Sequence, residues 1–290
     1  MGETSSAAGD LRERGPLVLP DGRRLALCEV GDPHGHVALY LHATGSSRLE
    51  IALYGEAAAR RGVRLVAWDR PGAGGSDPQP GRSLLDVVAD TAAVCAELGV
   101  DRPVAVGLSG GGCHVLALAS AAPQVVRAGV AINPVPPAED DIMGLGPAGF
   151  RMLMKLARRR PRLFGLIADR RERGGRITRA ISRRSLDPVD VRLMQRPEFA
   201  LLFWRAIDEG LRQPGEYAKE CLMLWGRPWG VSLTSFAVPL HLFAGEHDPF
   251  APFCVWLRAA GVELEVFPGG HLSGFAPAAL DHIMTVVAAS

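Results

Sequence analysis

A five-residue stretch, Gly107-Leu108-Ser109-Gly110-Gly111, constrains the fold of this chain more than any other part of it. An apolar run over 103–108 leads into it, and a run of small residues over 111–121 leaves it. Strand, G-x-S-x-G and helix in that order are the local context of a nucleophile elbow. The spacing follows from sterics. The serine must sit on a turn tight enough to lift its hydroxyl clear of the sheet. Flanking glycines have no Cβ to clash where the backbone crosses itself. The helix that follows points its positive end at the serine, which favours negative charge developing there.

Strands and helices alternate on either side of the elbow. Residues 17–19 and 25–30 flank Pro20-Asp21-Gly22 and read as two short strands about an Asp-Gly turn. Residues 37–41 are continuously apolar, the mark of a strand buried on both faces, and 63–68, 103–108 and 125–132, broken only by Arg64 and Arg127, read as further strands. Residues 47–61 read as a helix. So does the stretch after Ser83, with Asp86 as its capping-box partner and Gly99 as its stop. This alternation predicts an α/β class: a mostly parallel, twisted sheet with helices on both faces.

The alternation breaks at Pro134-Val135-Pro136-Pro137. Up to about residue 236 only helical pieces follow: 149–159, 163–171, 188–195, 198–211 and 215–224, with prolines at or near their starts. A strand at 240–244, a helix at 251–260, a strand at 262–267 and a helix at 278–287 complete the chain. The expected organisation is a disordered start over 1–14, an α/β unit over 15–133 and 237–290, and an all-helical insertion over 134–236.

A nucleophilic serine needs a base and a group that orients the base. Eight histidines are present. His271, in Pro268-Gly269-Gly270-His271, follows a strand and lies near the C-terminus, so its loop can reach the sheet edge that carries Ser109. His247 is the runner-up, although it adjoins the best acid and cannot easily face it. His42 ends another strand and is a candidate substrate contact. For the acid, Asp248 follows the strand 240–244, with Glu246 second. The strand before the insertion ends in Asn133 and offers no carboxylate. The order Ser109, Asp248, His271 is one of the known orders of a serine triad.

Composition narrows the partners. The formal net charge of the 290 residues is +1, which gives no bulk attraction to nucleic acid. Cys28, Cys95, Cys113, Cys221 and Cys254 are scattered without metal-binding spacing, so free thiols in a reducing compartment are expected. The polar start carries no signal-peptide pattern, and no apolar run is long enough to span a membrane. A cytoplasmic protein acting on a small-molecule substrate is expected, as monomer or homodimer, with no metal and no cofactor. The insertion is rich in arginine. Over 151–184, Arg151, Arg158 to Arg160, Arg162, Arg170, Arg171, Arg173, Arg176, Arg179, Arg183 and Arg184, with Lys155, are set against only Asp169 and Glu172 in that span. Such a run is either a solvated face or an attractor of anions.

The motifs together resemble those of the α/β-hydrolases, in the capped group that includes the epoxide hydrolases and proline iminopeptidases. They are the strand-end loop at His42, Asp69-Arg70-Pro71-Gly72-x-Gly74-x-Ser76, the serine elbow, Gly245-x-x-Asp248 and Gly270-His271. The resemblance covers nearly the whole chain except the insertion, and it implies that the insertion is a cap over the active site. Epoxide hydrolases and haloalkane dehalogenases carry aspartate where this chain has Ser109, so the resemblance implies acyl chemistry instead. It also implies an oxyanion hole made by the N–H of Gly110 and a second N–H from the loop at His42, that of Thr44 or, second, Ala43. The family pattern His-Gly-x-Pro-Gly reads His42-Ala43-Thr44-Gly45-Ser46 here, and Ala43 is expected at negative φ. Asp69, Arg70 and Ser76 read as a structural loop. Phe150, Met154, Phe203, Trp204 and Trp225 of the insertion are candidate substrate contacts, or glue between helices. The expected activity is a serine hydrolase for a carboxylic ester, lactone, thioester or amide. An acyl transferase, cyclase or lyase on the same triad, and a ligand-binding protein with little turnover, are the alternatives.

Overall fold

The computed structural model describes residues 11–173 and 187–290. Eight strands lie side by side in the order β1 (Arg12–Glu13), β4 (Leu27–Gly31), β6 (Val63–Trp68), β5 (His36–Leu41), β7 (Val104–Leu108), β8 (Ala128–Ile132), β9 (Leu240–Gly245) and β10 (Glu263–Phe267). β2 (Leu17–Val18) and β3 (Arg24–Leu25) form a separate antiparallel ribbon about the Asp21-Gly22 turn. From β6 to β10 every neighbour is parallel, while β1 and β4 run antiparallel. The chain steps from β5 to β6 on one side and then to β7 on the other. A crevice must open at that reversal, between the carboxyl ends of β5 and β7.

The central strands are buried on both faces, as their unbroken apolar runs require. Their side chains alternate between two cores. Leu39, Leu41, Ala105, Ala131 and Leu242 face one layer with α2 (Val87–Leu98), α3 (Gly110–Ala121) and α10 (Ala251–Ala259). Tyr40, Val106, Val130, Ile132 and Phe243 face the other, with α1 (Gly55–Arg60) and α11 (Pro277–Ala289). Helix α3 is buried along almost its whole length. Each of Val115, Leu116 and Leu118 removes enough apolar surface from water to contribute about 1.5–3 kcal/mol. The edge strand β10 instead carries Glu263 and Glu265, with Val266, on its exposed positions, and the charges there discourage pairing with another chain.

Local signals mark the boundaries. Ser83 and Asp86 form a capping box in front of α2, and Gly99 closes that helix in the left-handed conformation at φ 64. The helix expected over 47–61 begins instead as a 3-10 turn, Arg48–Tyr54, which Ser47 caps through its side chain, before α1 continues it. The expectation of disorder over 1–14 fails for its described end. Arg12–Glu13 pair with Glu29 and Cys28 of β4, because Arg12, Arg14 and Arg64 all converge on the Glu29 carboxylate. The remainder of that stretch, 1–10, lies outside the described residues.

Between β8 and β9 the described residues hold helices and no strand: α4 (Asp140–Met143), α5 (Ala148–Arg159), α6 (Pro161–Arg173), α7 (Pro188–Met194), α8 (Pro197–Gly210) and α9 (Glu216–Gly226). The short α4 has no counterpart among the expected pieces. Helices α5, α6 and α9 share a small core of Ala157, Phe164, Ala168, Ala218 and Cys221. Helix α8 lies on the Arg48–Tyr54 turn. The Ser47 hydroxyl donates to the Ala206 carbonyl at 2.8 Å, and a Cβ on Gly210 would fall 2.1 Å from the Ser46 carbonyl. Within the arginine-rich run, Arg151 and Arg158 donate to the carbonyls of Gly144 and Ala138. Arg176, Arg179, Arg183 and Arg184 lie outside the described residues. Among the described residues, no helix is long and apolar enough to cross a membrane, and no group of three or more His, Cys, Asp or Glu is arranged to hold a metal ion.

Candidate active site

The turn after β7 carries Ser109 at φ 54 and ψ −118, a conformation that L-residues rarely adopt and that costs about 1–3 kcal/mol. The neighbouring strand β8 and the first turn of α3 hold it there. The Ser109 N–H donates to the Ile132 carbonyl at 2.8 Å, and the Ser109 carbonyl accepts from Cys113 N–H at 3.2 Å. The flanking glycines are a steric demand. A Cβ on Gly107 would lie 2.5 Å from the carbonyl carbon of Gly111, and one on Gly111 would lie 1.9 Å from the Leu41 carbonyl oxygen.

Two loops from the far end of the chain meet this turn. His271 Nε2 stands 2.9 Å from Ser109 Oγ, and His271 Nδ1 stands 3.0 Å from Asp248 Oδ2. The Asp248 side chain is fully buried and also accepts from Phe250 N–H at 2.9 Å, whereas the His271 side chain is 27 % exposed. Burial opposes charge on His271, but Asp248 outweighs it by charge and by hydrogen bond. The more distant Asp190 and Glu50 add to this, and the pKa is raised above the ordinary 6.5. With Nδ1–H donating to Asp248, Nε2 is free to accept from the Ser109 hydroxyl. The other two candidates are elsewhere. His247 is exposed and pairs through Nδ1 with Asp187 at 2.9 Å, and Glu246 is exposed.

The loop after β5 closes the other side of the turn. Thr44 packs so near the start of α3 that a Cβ on Gly110 would fall 1.9 Å from Thr44 Oγ1 and 3.2 Å from Thr44 N. That oxygen is buried and has no hydrogen-bond partner. Of the two expected backbone donors, Ala43 is committed elsewhere, since its N–H donates to Glu50 Oε1 at 3.0 Å. The physical reason is the burial of Glu50, whose carboxylate takes that N–H together with the Tyr40 hydroxyl at 2.6 Å. Burial raises the Glu50 pKa, against the hydrogen bonds from the Tyr40 hydroxyl and Ala43 N–H. The N–H of Gly110, first in its helix, has no intrahelical acceptor. Ala43 has no positive φ, as expected.

The candidate substrate contacts separate. His42 is fully buried; its Nδ1 donates to the Ala43 carbonyl at 2.8 Å and its Nε2 accepts from Arg70 N–H at 3.1 Å. It has no nitrogen left for a substrate. Trp204 lines a surface groove with Arg48, Glu13 and Arg205. Phe203 stacks on Phe199, which meets Phe275 edge-on. Met154 is buried in a cluster with Ala138 and Met143. Phe150 is edge-on to Trp225 and to Phe250, and Phe250 is edge-on to His271 with centroids 5.6 Å apart. Phe150 and Trp225 therefore continue an aromatic wall that starts at the imidazole.

Arg70 holds the β5 loop in place. Its Nη1 donates to the His42 carbonyl and its Nη2 to that of Ala43, while Nε and Nη2 grip Glu220 of α9 at 2.9 and 2.5 Å. Asp69 is likewise buried and accepts from the backbone and side chain of Arg48 and from Gly75 N–H. Asn133 is a positioning group that sequence reasoning passed over. At φ 46 it turns its amide so that Oδ1 accepts from Gly245 N–H at 2.8 Å and Nδ2 donates to the His271 carbonyl at 2.9 Å. It thus ties the acid loop to the histidine loop. Its place at the carboxyl end of β8, level with the elbow, was the available signal.

The comparisons with known proteins agree with this architecture. No curated protein matches the sequence. Among solved structures the chain is similar to an enol-lactonase from Burkholderia xenovorans LB400, at 18 % identity and TM-score 0.67 over 94 % of this chain and 98 % of that one. It is similar to a hydrolase from Pseudomonas aeruginosa PA01, at 19 % identity and TM-score 0.70 over 98 % and 100 %. It is also similar to a thermophilic esterase from Thermogutta terrifontis, at 21 % identity and TM-score 0.66 over 97 % and 96 %. These identities carry the fold alone. The family model described as alpha/beta hydrolase fold matches residues 39–275, most of the chain and every residue placed around Ser109. On that match the chain belongs to the alpha/beta hydrolase fold family.

Proposed function

We propose that this protein is a serine hydrolase that cleaves a small-to-medium carboxylic ester, lactone, thioester or amide. The observation that carries the reading is the unbroken hydrogen-bond chain from Ser109 Oγ through His271 to Asp248, at 2.9 and 3.0 Å. Family membership and the esterase and lactonase among its structural relatives support it.

The chemistry follows from the geometry. His271 Nε2 takes the Ser109 proton as Oγ attacks the carbonyl carbon. The positive charge then on the imidazole is stabilised by Asp248, which also fixes the tautomer. The N–H groups of Gly110 and Thr44 receive the oxyanion, and the N-terminus of α3 adds a fixed positive potential. His271 returns its proton to the leaving group, the acyl group stays on Ser109, and water activated by the same imidazole releases it. The helical segment over 134–236 acts as a cap in this reading. The Arg70–Glu220 pair and the seating of α8 on the Arg48–Tyr54 turn support that role.

The test is labelling with a fluorophosphonate probe, alongside a panel of esters, lactones, thioesters and amides. Wild-type protein takes up one label and turns over at least one class of the panel. Ser109→Ala loses the label and lowers turnover on the order of a millionfold, with its fold unchanged by circular dichroism. Labelling that survives in Ser109→Ala moves the nucleophile to another residue.

A further inference from the structure

Helix α7 carries a carboxylate that the reaction above does not use. Asp190 is buried, and its two oxygens accept from the backbone N–H of Gly270 at 3.1 Å and of Leu272 at 3.2 Å. Those two residues flank His271. The carboxylate therefore grips the peptide units on both sides of the imidazole, from a helix that belongs to the segment between β8 and β9. The sequence of the histidine loop is fitted to that helix. A Cβ on Gly270 would fall 2.6 Å from Asp190 Oδ2 and 2.9 Å from Asp187 Cβ, and one on Gly269 would fall 3.2 Å from Val189 Cβ. Two glycines before a histidine are what close docking of a helix onto this loop demands.

The charges around the pair are few. Asp248 from the β9 loop, Asp190 from α7 and Glu50 from the 3-10 turn all favour the charged form of His271. Asp187, the N-cap of α7, lies three positions before Asp190, and its own carboxylate is engaged with Val189 N–H at 2.7 Å and with His247 at 2.9 Å. Asp190 is thus the carboxylate that contacts the backbone on both sides of His271 without touching the imidazole.

We propose that Asp190 is a positioning residue for His271: it holds the histidine loop so that Nε2 meets Ser109 Oγ, and it makes the aim of the base depend on the docking of α7. This rests on the reading of Ser109, His271 and Asp248 as the reacting triad. Without Asp190 the two N–H groups lose their acceptor, the loop shifts, and a misplacement of about an ångström at the base is worth about a hundredfold in rate. A second negative charge near the imidazole is lost as well.

The experiment compares Asp190→Asn with Asp187→Asn, a control at the N-cap of the same helix, in the full-length chain. The readouts are kcat, KM and the pH profile of kcat/KM on a p-nitrophenyl ester, and the rate of fluorophosphonate labelling. Asparagine keeps the size of aspartate and can accept only one of the two N–H groups. Asp190→Asn is expected to lower kcat and the labelling rate about ten- to a hundredfold, with KM within about threefold of wild type. The acid limb of its profile moves to lower pH. Asp187→Asn keeps kcat within about threefold and leaves the limb in place. Should Asp190→Asn fail to fold, Gly270→Ala, which drives a methyl against Asp190, is expected to give the same loss of kcat and of labelling rate with KM little changed, and unchanged kcat there overturns the proposal. Unchanged kcat and an unmoved limb in Asp190→Asn overturn the proposal, and so does an equal loss in Asp187→Asn. Failure of the triad reading is a different result, namely activity retained in Ser109→Ala.

Discussion

Two histidines stand at the same sheet edge, one in the turn after β5 and one in the turn after β10, and their surroundings treat them in opposite ways. His42 is sealed in, and both its ring nitrogens are used by backbone groups, the Ala43 carbonyl and the Arg70 N–H. Burial, then the charge of Arg70, pushes its pKa well below the ordinary value. His271 has both nitrogens on side chains, one a hydroxyl and one a carboxylate, and its pKa moves up. The difference teaches that a histidine at a strand end is identified by what its nitrogens bind. One saturated by backbone serves as scaffold, and one linking a proton donor to an anion is able to do acid–base chemistry.

Removing the anion is the strongest way to break this contrast. Asp248→Asn is expected to lower kcat on the order of ten-thousandfold with little change in KM, because the amide presents a donor to Nδ1 and stabilises the wrong tautomer. Steady-state kinetics of the variant check this, and near-normal turnover would hand the role to another carboxylate. Breaking the other side acts on stability. His42→Phe leaves the Arg70 N–H without its acceptor and is expected to cost about 1–3 kcal/mol, read by urea denaturation. An unchanged midpoint would mean that the loop does not depend on this ring.

The smallest effect sharpens the contrast by titration. His271 must be neutral to act as base, so kcat/KM rises with pH through a pKa above 6.5. Imidazole resonances measured by NMR are expected to show one ring titrating above 6.5 and shifted in Asp248→Asn, with the His42 ring neutral throughout. The linkage to stability has opposite signs. His271, raised in the folded state, contributes stability that is full below the unfolded pKa and is lost as pH rises through the folded one. His42, lowered in the folded state, removes stability as pH falls below 6.5. A His42 ring that titrates near 6.5 in the native protein would erase the distinction.

The parts of this site that were legible in the sequence are those where chemistry or sterics restricts the residue type. Gly107 and Gly111 are required because no Cβ fits, Ser109 because the turn needs a hydroxyl, and Asp248 and His271 because of their order after strands. The sheet was legible for a similar reason, since a short, unbroken apolar run between turn residues suits a strand covered on both faces. Asn133, Glu50 and Asp190 were not. Each acts mostly on backbone N–H or C=O groups, which every residue carries, so nothing in the partner's identity announces the contact. The strand Arg12–Glu13 was missed because two residues have no period, and the ion pairs that anchor it reach across 15 to 17 positions. The role of His42 was not legible either, because a strand-end histidine looks the same from sequence whether its nitrogens are spent, as here, or free.

The long span of the site along the chain has a kinetic consequence. Ser109 and His271 are 162 positions apart, and the ladder between β8 and β9 joins the part that carries Ser109 to the part that carries Asp248 and His271. Contacts of such separation form late, after the local helices, because their loop-closure entropy is met only when the flanking structure already exists. During refolding, helical signal therefore returns first and turnover last. For the same reason a ribosome-bound chain that has not yet exposed β9 and β10 holds Ser109 without His271, and on the proposed mechanism it is chemically silent until those two strands dock.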